Sequence, residues 1–178
     1  MKHLIPIFTY SALILTIFFS PNLKAQDPWE LGAGYMMPMG KGYKSNIIGP
    51  RYEKYHNKTS FSIGVTYHFS AKSAYGGFQG FGAFAGFRNS FGSNPKGNPF
   101  IGMRVLLSFE NFEGKTNLNS LLFTPMGEAG YHFLFGKHLF TTPSIGYGYT
   151  LKVTREYNTR QDDEGGRIIP GIATGYRF

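Results

Sequence analysis

The sequence predicts an all-β fold, a closed antiparallel eight-stranded transmembrane β-barrel, on three observations. Alternating apolar and polar residues recur in segments separated by turn-like clusters. Glycine accounts for 24 of 178 residues and aromatics for 17%, and both rank poorly as helix formers. Charged residues make up only 16%, against about 25% in ordinary soluble domains. The same numbers exclude other classes. So aromatic and weakly charged a chain does not match disordered composition. With no Cys there is no disulfide scaffold and no thiolate metal site. Glycine shows no period of three, which excludes collagen.

The chain divides into two parts. Met1-Lys2-His3 is a short positive start, Leu4 to Ser20 is apolar, and Pro21 breaks the run before Ala25. That pattern predicts a secretory signal peptide over residues 1–25. Pro6 and Pro21 argue against an uncleaved anchor, and without Cys there is no acylated lipoprotein. Removing Lys2 and Lys24 lowers the net charge from +8 to +6. Residues 26–178 are the barrel domain, in which no run of 18 apolar residues occurs.

Each strand is then read from its alternation. In the first, Trp29, Leu31, Ala33, Tyr35 and Met37 alternate with Glu30, Gly32 and Gly34. The second, residues 45–55, is weakly patterned, but the next strand needs a hairpin partner across Asn57-Lys58. In the third, Phe61, Ile63, Val65, Tyr67 and Phe69 alternate with small or polar residues. The fourth places Phe81, Ala83, Ala85 and Phe87 against Gly80, Gly82, Gly86 and Arg88. The fifth places Ile101, Met103, Val105, Leu107 and Phe109 against Gly102, Arg104, Ser108 and Glu110. The sixth runs from Ser120 to Phe135 with Glu128 on its polar row, and turns at Gly136-Lys137-His138. In the seventh, from Leu139 to Thr154, the second row is small and polar. In the eighth, Ile168, Pro170, Ile172, Thr174, Tyr176 and Phe178 share one face.

An even count puts both ends on one side of the membrane. With the termini periplasmic, the outer connections are 38–44, 71–75, 113–117 and 156–165. The inner ones are 56–59, 90–98 and 136–138. A soluble sandwich or lipocalin-like barrel would have to bury the long aromatic row, and one small barrel has no room for it. Exposed to water, that row would far exceed the usual apolar patch. Facing lipid, it needs no further account.

The polar row supplies the candidate site. Glu30, Glu53, Glu110 and Glu128 fall inward, with Arg51, Arg88, Arg104, Lys152 and Arg167. Arg177 shares the row but is placed at the rim and left out. Buried charges need partners, so near balance predicts a plugged lumen, with Arg104 and Glu128 paired across neighbouring strands. Eight strands enclose side chains rather than an aqueous channel.

The signal segment, the eight alternating strands, the lumen charges and the ending Gly175-Tyr176-Arg177-Phe178 together resemble the small eight-stranded outer-membrane β-barrel proteins. The resemblance covers residues 26–178, is architectural and carries no catalytic motif. It implies an outer-membrane location, and it implies that Tyr176 and Phe178 form the signal read by the barrel-assembly machinery.

Other patterns point to chemistry more weakly. His68-Phe69-Ser70 resembles the His-x-Ser of outer-membrane lipid A deacylases, but the next acid is Glu110 and both residues point inward. Gly80-Phe81-Gly82 lacks the helix that a dinucleotide fingerprint needs. The acidic run 161–164 lacks calcium-loop spacing. His56, His132 and His138 show no metal-ligand spacing. Asn57-Lys58-Thr59 is a sequon only in form, since it would face the periplasm. No cofactor or metal is expected. The dispersed Lys and Arg are not a nucleic-acid footprint. Lys41, Lys44, Lys72 and Lys115 lie near outer connections and suit anionic lipid head groups, so the expected partners are outer-membrane lipids and lipopolysaccharide. The expected function is that of a monomeric, non-enzymatic outer-membrane barrel acting in envelope structure or surface interaction through its loops. The alternatives are a lipid-modifying hydrolase using His68 and Ser70, and a small-ligand or narrow-pore barrel.

Overall fold

The computed structural model describes residues 27–40, 43–73, 76–92, 94, 96–112, 119–153 and 164–178. The expected signal segment, Lys41, Lys115 and residues 161–163 lie outside these, as do the side chains of Ser70, Lys72 and Glu110.

Among the described residues, nine strand segments make eight staves. They are β1 (Trp29–Met36), β2 (Met39–Gly40), β3 (Tyr43–His56), β4 (Thr59–Ser73), β5 (Gly76–Ser90), β6 (Gly97–Phe112), β7 (Asn119–Phe135), β8 (Leu139–Lys152) and β9 (Gly165–Arg177). β1 and β2 pair with the same two neighbours, β3 and β9, and so form one stave. It is interrupted at Met37-Pro38, where proline has no N–H to give a ladder. Hydrogen bonds continue across the gap, from Met37 N to Pro170 O (2.9 Å) and from Ser45 N to Pro38 O (3.1 Å). Every stave is antiparallel to the next. The β1–β9 pairing, from Glu30↔Arg177 to Met36↔Gly171, closes the sheet on itself. Closure leaves no sheet edge, the condition for a strand structure to sit in hydrocarbon.

The weakly patterned second strand is present and longer than residues 45–55, and Lys54 of β3 faces Phe61 of β4. Its turn forms at Asn57-Lys58, with Asn57 in the left-handed region (φ 56°) as tight two-residue hairpins require. Gly136 (φ 66°) does the same between β7 and β8. Two connections differ from expectation. Residues 71–73, expected in an outer loop, extend β4 and pair with Gly76, Gly77 and Phe78. The long connection after β5 is held by its own asparagines. Asn94 N–H donates to Asn98 Oδ1 (3.1 Å), and Lys96 N–H donates to Asn94 Oδ1 (2.9 Å). These are local side-chain turns of the kind that stiffen loops.

The alternation sorts side chains by face. Phe61, Phe81, Phe87, Met103, Tyr147 and Ile168 are among the large apolar residues on the outside, and Met103 is 73% exposed. Among the described residues, the outward positions between Lys44 and Lys54 of β3, and those of β6 through β9, carry no charge within the strands.

The inside is packed by a register rule. Large inward side chains sit beside glycines on the neighbouring stave: Arg51↔Gly32, Phe84↔Gly64, Arg104↔Gly86, Glu128↔Gly146, Arg167↔Gly148 and Phe140↔Gly175. This is where the unusual glycine content goes. The lumen is not only polar. Met36, Ile47, Phe84, Leu106, Met126 and Ile169 form a buried apolar cluster inside it, which the reading of the inward rows as small and polar missed.

A Cβ at Gly64 would stand 2.4 Å from the Phe84 ring and 2.4 Å from the Pro50 carbonyl oxygen. A Cβ at Gly127 meets nothing nearer than 4.0 Å. Gly64→Ala is therefore expected to lower stability by about 1–3 kcal/mol through overpacking, and Gly127→Ala to leave it unchanged. Urea unfolding in detergent micelles, followed by the single Trp, measures both.

Candidate functional site

The inward rows converge into linked polar groups. Their order along the lumen follows from the register. At the rim that carries the first and last strands, Glu30 of β1 is buried and takes three partners. Tyr55 of β3 donates its hydroxyl to Glu30 Oε2 at 3.0 Å. Arg177 of β9 reaches Glu30 Oε1 through Nε (2.9 Å) and Nη2 (2.7 Å). His132 Nε2 of β7 lies 3.2 Å from the same oxygen and 2.9 Å from Arg177 Nη2. Its Nδ1 faces the Thr142 hydroxyl at 2.9 Å. Arg177 was expected to stay at the rim. It does lie at this rim, and from there it pairs with Glu30, its direct register partner, which the reading that left it out of the lumen set did not foresee.

The next layer centres on Glu53 of β3, which is fully buried. Arg88 of β5 holds it in a fork, with Nε donating to Oε1 at 2.8 Å and Nη2 contacting Oε2. Arg51 also contacts Oε2, and the Ser60 hydroxyl donates to Oε1. A carboxylate gripped by two guanidiniums and a hydroxyl has its acceptors filled, which is what makes a buried charge tolerable. The Arg88 guanidinium lies over the Phe100 ring, 4.4 Å from its centroid.

Above it, Arg104 of β6 donates to Glu128 of β7 at 3.0 Å, the pair predicted from the strand pattern. Arg104 also donates to Met36 Sδ at 3.1 Å and lies over Phe84 at 4.9 Å. Toward the opposite rim, Arg167 of β9 is buried against Tyr43, 3.9 Å from its ring centroid, and Nε reaches Thr150 Oγ1 at 3.4 Å. Lys152 is half-buried at that rim, and its backbone N–H donates to the Glu164 carboxylate at 3.1 Å. Glu110 is placed in β6 opposite Gly80.

His68 is buried in the lumen. Its Nδ1 faces Ser45 Oγ at 3.5 Å and its Nε2 faces Ser108 Oγ at 3.3 Å. It thus sits within a hydroxyl-lined part of the barrel interior. Tyr176 and Phe178 are on the outside at the first rim. Phe178 stacks on Trp29 (centroids 4.0 Å apart), its N–H donates to Trp29 O at 2.9 Å, and Tyr176 stacks on His138 at 4.8 Å.

Sequence reasoning missed Tyr55, Ser60, His132 and Arg177 as members of these groups. The signal for His132 was its place on the same inward row as Glu128, four residues on.

A closed barrel of eight antiparallel staves, apolar outside and ion-paired inside, is the architecture of small outer-membrane barrels. Among solved structures the chain is similar to Neisserial surface protein A, with a TM-score of 0.58 and 14% identity over 83% of this chain and 96% of that one. It is also similar to the outer membrane protein OprG from Pseudomonas aeruginosa, with a TM-score of 0.52 and 10% identity over 86% of this chain and 96% of that one. At these identities the likeness is one of fold. No family model matches the chain, and no curated protein matches it.

Removing one partner of a buried ion pair costs about 3–5 kcal/mol, whereas replacing both with apolar groups costs far less. Glu128→Gln and Arg104→Met are each expected to destabilise by that amount, and Arg104→Met with Glu128→Met by less than their sum. A double-mutant cycle in urea checks the coupling.

Proposed function

We propose that the chain is a non-enzymatic integral outer-membrane barrel with a plugged lumen, acting in envelope structure or surface interaction through its external loops. The observation that carries this is the division of charge. The exterior strand faces are apolar and aromatic, whereas Glu30, Glu53, Glu128, Arg51, Arg88 and Arg104 are buried inside. A soluble protein of this fold would need the opposite arrangement. Only lipid on the outside makes both faces favourable.

The plug is supported by the layers of ion pairs and by the apolar cluster that lies between them and the Arg167–Tyr43 contact, in a barrel whose eight staves leave room for side chains and little more. The chain is then an exported protein whose first 25 residues direct it across the inner membrane. Tyr176 and Phe178 present the outward aromatic row that the assembly machinery would read.

The external face has a basic side. Lys44 is exposed on β3, and the backbone of β4 places Lys72 at its partner position, so a basic outer connection would attract anions. Lipopolysaccharide head groups would supply them.

Two measurements test this reading. In planar bilayers the refolded protein should add no conductance, and reproducible open channels would overturn the plug. Replacing Lys41, Lys44, Lys72 and Lys115 together with Gln should weaken co-sedimentation with lipopolysaccharide, with a larger loss at low salt than at high salt. Unchanged sedimentation would remove the lipid-contact role.

A further inference from the structure

The lumen contains a cavity of about 20 Å³ between the Glu53 and Glu128 ion-pair layers. That is room for one water-sized or halide-sized occupant. Tyr35, Arg51, Thr66, Arg88, Arg104, Thr142 and Ser144 are the polar residues in its lining, Tyr35 with its hydroxyl given to Asn46, and among the described residues no carboxylate lines it. The three arginines come from three staves, β3, β5 and β6.

Their charge is not fully met. Glu53 serves both Arg51 and Arg88, and Glu128 serves Arg104. Three guanidiniums against two carboxylates leave one positive charge in excess beside the cavity. All three arginines are at least nine-tenths buried, so water does not screen that excess. Hydrogen bonding is incomplete at the same place. Arg51 Nε, Arg104 Nε, Thr66 Oγ1 and Ser62 Oγ are buried without a protein hydrogen-bond partner, as is one acceptor, Glu128 Oε2, whose residue does not line the cavity. A buried donor left unmet keeps its full desolvation penalty. Arg104 Nη1 turns to a thioether, Met36 Sδ, a weak acceptor.

We propose that this cavity is an anion site that takes one halide-sized monovalent anion, chloride in the cell. An anion there accepts from donors on different staves and balances the excess charge. A neutral water would satisfy hydrogen bonds and leave the charge. The apolar cluster that includes Met36 and Phe84 borders the cavity, so the anion would be enclosed when the barrel closes. The site is independent of whatever the external loops contact.

The test uses the whole barrel refolded in bromide and crystallised from it, with diffraction data collected at the bromine edge. One anomalous peak among Arg51, Arg88 and Arg104 is expected. In parallel, unfolding midpoints are measured at constant ionic strength while gluconate, too large for the cavity, is exchanged for bromide. The midpoint should rise with bromide as a ligand bound only to the folded state requires. The rise should be reduced at least twofold in Thr66→Val, which removes one hydroxyl and keeps the shape. Thr66→Val is the chosen variant because removing an arginine would leave a carboxylate unpaired and risk the fold. No anomalous peak, or a midpoint indifferent to which anion is present, would overturn the site and leave a water-filled cavity.

Discussion

The cross-section of the barrel is the constraint on which everything else rests. Eight staves enclose a space that side chains can fill and little more. The wall must also be apolar outward, so polar and charged groups have only the inside in which to gather. Each large inward group therefore needs a neighbour that gives up volume. Glycine provides it across the register, as with Phe84 beside Gly64 and Arg167 beside Gly148. The ion pairs follow from the same limit. A guanidinium that cannot reach bulk water must find a carboxylate, a hydroxyl, a ring or a thioether within a few ångströms. Arg88 and Arg104 each combine such partners.

This arrangement ties specificity to packing. An apolar lumen of the same volume would be easier to desolvate, but it would not distinguish one register from another. Slipping a stave by one residue would turn Glu53 or Glu128 toward lipid and Phe or Leu inward. The cost of exposing a carboxylate to hydrocarbon then makes the observed register strongly preferred. The apolar cluster around Met36, Ile47 and Ile169 separates charged layers near the first rim from the Arg167–Tyr43 contact near the other.

Much of this was legible in the chain, because period-two alternation reports the face of a strand directly. It located all eight staves, even the poorly patterned one before Asn57, and it placed Arg104 with Glu128. Alternation is silent about height, which depends on how far each stave is sheared against its neighbours. That is why Arg177 was left out of the lumen set although it lies opposite Glu30, and why the partners of Glu53, drawn from three staves, could not be named. The apolar lumen residues Leu106, Met126 and Ile169 were hidden by the expectation that an inward row is polar. The residues of an outer connection, 71–73, read as loop because alternation fades there, yet the backbone continues its ladder.

The bond between Glu30 and Arg177 joins residues 147 positions apart in the sequence. Bringing such distant segments together carries a larger loop-closure entropy than any neighbouring hairpin, which joins its strands through a short turn. Seven of the stave pairings are between neighbours in the chain and can form locally; the seam can form only after they have brought its two sides near. Until then the Glu30 carboxylate has Tyr55 on the adjacent stave but neither Arg177 nor the Trp29–Phe178 stack. Of all the stave pairings, the seam therefore carries the largest closure cost, and its contacts repay that cost only once the barrel is whole.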